Sequence, residues 1–142
     1  MTGRAVHRWL AGLVFWAGLA VSTPASSQGL TAEQLALRDH QGRLDAVTER
    51  LFTGAVAERC QRRPLAWLAL LLRKSHADYQ REEAAFRERH PDIGPRPDTS
   101  SAGFAALFLG QRLVERMGDA PCGTIASPAV LDEIDRHLYR PD

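Results

Sequence analysis

The amino-acid sequence predicts a small all-α domain of four helices, held by one disulfide and preceded by a signal peptide. Three observations carry this expectation. Helix-start chemistry stands in front of apolar residues spaced three and four apart, first at Thr31 to Gln34 and again at Ser127 to Pro128. No stretch alternates apolar and polar residues for long enough to make a useful strand. The 142 residues, 44% of them apolar, contain no internal repeat and suit one domain rather than two.

Residues 1–27 stand apart from that domain. Arg4 and Arg8 make a positive start, and the segment from Trp9 to Val21 follows without a charge. It is shorter than the roughly 20 apolar residues that a bilayer span needs. A polar stretch from Ser22 to Ser27 comes next, with small Ala25 and Ser27 placed for a cut before Gln28. This is the layout of a secretory signal peptide, the alternative being an uncleaved anchor helix. The expected mature chain is residues 28–142, periplasmic or secreted, with no membrane span of its own.

The first helix begins at Thr31, which can cap it, while Gln34 completes a capping box and Leu30 can staple to Leu35. Its stripe is Leu37, Leu44, Val47, Leu51 and Ala55, with Gly42 as a point of bending. The second helix starts at Pro64 and runs to about Arg89, before the His90-Pro91 stop. Leu65 to Leu72 is apolar on every side, so this half is expected at the centre of the core or in a dimer interface. The charged half from Arg81 to Arg89 is expected to project into solvent. Residues 90–101, rich in Pro and Gly, read as a loop.

The third helix is expected from about Ala102 to Met117, with Phe104, Leu107, Phe108, Val114 and Met117 inward and Gly118 as its stop. Ala102, Ala106 and Gly110 recur every four residues and leave a smooth stripe suited to close internal packing, or to a dimer seam. The fourth helix has Ser127 as cap, Pro128 in first position, the stripe Val130, Leu131, Ile134 and Leu138, and Pro141 beyond its end.

Charge and cysteine content narrow the function classes. The 18 basic and 17 acidic residues balance to +1, and the mean hydropathy is -0.27. This excludes a polybasic nucleic-acid binder, a charged disordered tail and a multi-span membrane protein. The two cysteines, Cys60 and Cys122, fall in connections between helices, and export to an oxidising compartment makes them a disulfide. Closing that loop is worth roughly 4 kcal/mol in the chain-entropy model.

Residues that could carry chemistry are few. Glu133 and His137 share a helical face at a spacing that suits two metal ligands, but it suits a surface ion pair equally, and the ion pair is the preferred reading. His40, His76 and His90 lie on different elements and are expected to be ordinary surface or half-buried histidines. No nucleophile elbow, phosphate-cradling loop or dinucleotide fingerprint occurs, so neither an enzyme nor a cofactor is expected. Arg59, Arg62 and Arg63 flank Cys60 at the start of the second helix, where positive charge opposes the helix dipole. They want carboxylates, either intramolecular ones such as Glu58 or those of an acidic partner.

Two resemblances add to this reading. Leu30-Thr31-Ala32-Glu33-Gln34 resembles the Leu-Thr-x-x-Gln motif of periplasmic helical chaperones and metal sensors of the CpxP/Spy type. Residues 104–142 are similar to exported immunity proteins against type VI secretion amidases. In those, an apolar helix with a Gly leads to a Cys, a polar turn and a Pro-started helix closing in Leu-x-x-Pro. Phe104 to Gly110, Cys122, Pro128 and Leu138 to Pro141 take those places here. The second resemblance implies an inhibitor that occludes an effector enzyme, the first a stress chaperone or sensor. The expectation is an exported helical protein that binds another protein without catalysis, with a homodimer as a further option and no nucleic-acid partner.

Overall fold

Local capping chemistry sets several of the helix ends. The computed structural model describes residues 29–94 and 100–141, so the expected signal peptide lies outside the described residues. These residues form α1 (Ala32–Arg59), α2 (Leu65–Arg89), α3 (Ser100–Met117), α4 (Ala120–Thr124) and α5 (Pro128–Leu138), with no strand among them. The Thr31 hydroxyl accepts from the Gln34 N–H and the Gln34 side chain accepts from the Thr31 N–H, closing the expected capping box. The Ser127 hydroxyl accepts from the Val130 N–H, with Pro128 in the first turn of α5. Gly118, at a φ of 62°, ends α3 in the left-handed conformation that glycine adopts without a Cβ penalty.

One difference from the sequence expectation concerns the number of elements. Among the described residues there are five helices rather than four, because α4 forms a single extra turn around Cys122; five residues are too few to show a period. α1 continues unbroken through Gly42 to Arg59. Past its end, the Gln61 N–H donates to the Glu58 carbonyl and the Arg62 N–H to the Ala57 carbonyl, with Gln61 at a φ of 55°. This is a Schellman turn with glutamine in the position that glycine usually fills.

The centre of the fold is α1, rather than the apolar start of α2, for which the core centre or a dimer interface was expected. Thr53, Gly54, Ala55, Val56 and Ala57 are all buried, with Leu44, Val47 and Leu51 one and more turns before them. α2 covers one side of α1 through Trp67, Leu68, Leu71 and Tyr79, and α3 covers another; Leu131 and Ile134 of α5 complete the core. The all-apolar start of α2 is covered on one face only. Nor does the charged half of α2 project into solvent. Phe86 is 2% exposed and stacks on the fully buried His40 ring of α1 at 4.3 Å between centroids.

The expected disulfide is present. Cys60, at the C-terminal cap of α1, is bonded to Cys122 in α4, with 5.8 Å between the Cα atoms, inside the usual range.

Candidate functional site

The most informative feature is the orientation of α3. Gly103, Ala106 and Gly110 face α1 and are buried, so the small-residue stripe packs internally, although Ala102 at its head is exposed. The approach is close. A Cβ on Gly110 would stand 2.6 Å from the Phe52 carbonyl oxygen, and one on Gly103 would stand 2.9 Å from Leu51 Cδ1. The expectation that Phe104, Phe108 and Met117 point inward is therefore wrong: they are 65%, 61% and 57% exposed. Two stripes compete on this helix, and only the small one lets the backbones of α1 and α3 meet. The cost is considerable, since fully burying a Phe side chain is worth about 1.5–3 kcal/mol.

This leaves an apolar face on α3, with Leu109 also exposed beside Phe104 and Phe108. It borders a hollow of about 250 Å³ between α2 and α3. Buried Leu51 and Tyr79 floor the hollow, and Leu72, His76 and Phe104 wall it. The α2 wall belongs to a longer stripe, Leu65, Ala69, Leu72 and His76, of which Leu65 is as exposed as Phe104. Sequence reasoning missed this face because it assigned both aromatic residues to the core. The signal that could have found it is the glycine and alanine set nearly half a turn away.

A second, polar feature ties α1, α2 and α5 together. Asp78 of α2 is buried and faces three basic side chains: His137 Nε2 at 2.8 Å, the Arg81 guanidinium at 3.2 Å and that of Arg50 at 3.8 Å. A cleft of about 520 Å³ lies beside it between α1 and α5, lined by Arg50, Arg136, His137 and Arg140 with Glu49 and Glu133. The one hydroxyl among the residues lining this cleft is that of Thr53, which is itself buried. The Asp78 and His137 pair joins α2 to α5. The preferred partner of His137 is Asp78, on another helix, rather than Glu133. Among the described residues no group of three His, Cys, Asp or Glu side chains could hold a metal ion.

The other histidines divide. His76 is exposed and bonds Gln80, and His90 is half-buried against the Phe86 ring. His40 departs from expectation, being fully buried with Nε2 2.8 Å from Glu83 of α2. A partner 43 positions away leaves no trace in local spacing.

The three arginines around Cys60 are distributed by the fold. Arg59 falls in the last turn of α1, where positive charge suits the helix dipole, and lies 3.4 Å from Glu115 of α3. Arg63 is bonded to Asp135 of α5 and sits over the Trp67 ring at 5.8 Å, while Trp67 Nε1 donates to the other oxygen of Asp135 at 2.7 Å. Arg62 is exposed in the turn. The carboxylates that meet Arg59 and Arg63 come from distant helices and not from Glu58.

Comparison of the chain with protein-family models, with curated proteins and with solved structures finds no match. No helix of the described residues is long and apolar enough to cross a membrane.

Proposed function

We propose that this is an exported, non-catalytic protein-binding domain whose contact surface is the apolar face of α2 and α3. The observation that carries the reading is that Phe104, Phe108 and Leu109 are each more than half exposed on a helix whose small residues are buried. The finer reading is an immunity-type inhibitor. The segment similar to amidase-immunity proteins begins at Phe104 and so contains the α3 part of this face. Such a protein would occlude the site of an effector enzyme by covering it, which needs a fixed apolar surface and no reacting group. Export follows from the layout of residues 1–27, and the disulfide between Cys60 and Cys122 supports an oxidising compartment.

The test is cross-linking and co-purification from the periplasmic fraction, comparing the native chain with Phe104→Ser/Phe108→Ser. A mature protein starting near Gln28, in a one-to-one complex with a folded partner that the double variant loses at unchanged melting temperature, is the expected result. Suppression of aggregation of unrelated proteins, with no one-to-one complex, would give the chaperone reading instead. An unaltered complex would remove this face from the function.

A further inference from the structure

Resting on the reading of the α2 and α3 face as a contact surface, we infer that its occupant is an acidic amphipathic helix of the partner, seated by an apolar side chain in the hollow beside Phe104. Three observations lead there.

The hollow is of side-chain size. Small-molecule pockets run to roughly 300–1,000 Å³, whereas this one holds about 250 Å³ and is floored by the buried side chains of Leu51 and Tyr79. That volume suits one anchoring side chain. Phe104 and Phe108, four apart on α3, continue the apolar surface by one further helical turn, and the α2 stripe from Leu65 to His76 runs along the other side. Two helical ridges with a hollow between them present the groove into which a helix lays its apolar face, read out at spacings of three, four and seven.

Charge selects the kind of helix. From Leu65 to Ala77 and from Ser101 to Val114 there is no carboxylate, while Arg73 and His76 border the hollow and the Arg112 guanidinium lies 5.8 Å from the Phe108 ring centroid. The nearest acid along α3, Glu115, is shared between Arg112 and Arg59. The α2 and α3 segments that border the hollow therefore carry Arg73 and Arg112 and no carboxylate, with Asp45 of α1 near the Tyr79 floor, although the whole chain is nearly neutral. A second copy of the same face would bring the like charges of Arg73 and Arg112 together, which disfavours self-pairing. A partner helix with glutamate or aspartate beside its apolar stripe would satisfy both features. Anionic lipid shares the charge but is flat, and it leaves the hollow unfilled.

Two synthetic peptides of about four helical turns test this, sharing one leucine stripe and flanked by Glu in one and Lys in the other. Anisotropy titration against the oxidised mature chain should show the Glu peptide binding at least tenfold tighter than the Lys peptide, with affinity falling as salt is raised. Phe104→Ala should weaken the Glu peptide about tenfold, the loss expected of an anchor residue. Arg73→Glu/Arg112→Glu should invert the preference, with melting temperature confirming that each variant is folded. Equal binding of both peptides, or binding of neither, overturns the inference. So does a dimer in sedimentation that Phe108→Asp converts to monomer, or Phe104-dependent binding to phosphatidylglycerol vesicles in place of the Glu peptide. If the native complex still depends on Phe104 and Phe108 while the peptides fail, the acidic-helix inference falls and the contact surface stands.

Discussion

Replacing Gly110 by alanine should destabilise the protein, even though alanine is the better helix former. In an open helix interior the change gains about 0.5–1 kcal/mol, because glycine loses more backbone freedom on folding. Gly42 of α1 offers that open case, since a Cβ there would meet nothing within 4 Å. At Gly110 the methyl would stand 2.6 Å from the Phe52 carbonyl oxygen and 2.9 Å from Ala55 Cβ, where ordinary contact begins at 3.4 Å. Neither atom can rotate away, since one is α1 backbone and the other a first side-chain carbon. The helices must separate by several tenths of an ångström along the whole small-residue seam, and overpacking of this kind costs about 1–3 kcal/mol. After the propensity gain the net loss is about 1–2 kcal/mol, or a fall of roughly 3–8 °C in Tm for a domain of this size. Paired thermal and urea unfolding of Gly42→Ala and Gly110→Ala measures both, and the two variants should move in opposite directions. A Gly110→Ala protein as stable as the parent would refute the close seam, and with it the argument that α3 turns its aromatic residues outward.

Four further outcomes follow from the geometry. Asp78→Ala should cost about 2–4 kcal/mol by urea unfolding, somewhat under the loss for a fully buried pair because Arg50, Arg81 and His137 can regain water. Gln61→Gly should stabilise by about 1 kcal/mol, by relieving a left-handed glutamine in the Schellman turn. Cys60→Ser/Cys122→Ser should lose about 2–4 kcal/mol, and denatured native protein should show no titratable thiol. Burial pushes the Tyr79 phenol above its ordinary value, with Asp45 adding to the shift, against the Thr48 hydrogen bond and the charge of Arg50. The native state therefore holds that proton more tightly than the unfolded chain. Its contribution is complete below about pH 10 and is lost as pH rises through the native value. Ultraviolet titration of a Tyr139→Phe variant should show phenolate forming at higher pH in the folded protein than in urea.

Helix ends were legible in the sequence because their chemistry is local. Thr31 with Gln34, Ser127 with Pro128, Gly118, and the stop at His90 each act within a turn of the boundary they set, and all four stand where the spacing placed them. The disulfide was legible for a different reason, as two cysteines leave only one internal pairing. Face orientation was not legible where it depends on the distance between helix axes. On α3 the aromatic and small stripes give opposite answers, and only the approach of α1 decides between them. The centrality of α1 was hidden in the same way. Its buried run from Thr53 to Ala57 holds small and β-branched residues, which look unremarkable beside the leucine-rich start of α2. The ties from His40 to Glu83 and from Asp78 to His137 cross 43 and 59 positions, beyond any helical period.

The candidate site follows from this same competition. Turning α3 to bury Phe104 and Phe108 would gain apolar burial, but it would place two large rings against Phe52 and Ala55 and force α1 and α3 apart. The fold as built takes its cohesion elsewhere: from the tight α1 and α3 seam, the Asp78 and Asp135 ties, and the disulfide that fixes the end of α1 to α4. The exposed rings therefore contribute little to folding, and polar residues in their place should leave Tm within a degree or two. Surface aromatic residues that a fold does not use for its own cohesion can be spent on a partner. Here they stand beside a hollow of side-chain size with Arg73 and Arg112 near them, and they form the surface that the proposed partner would cover.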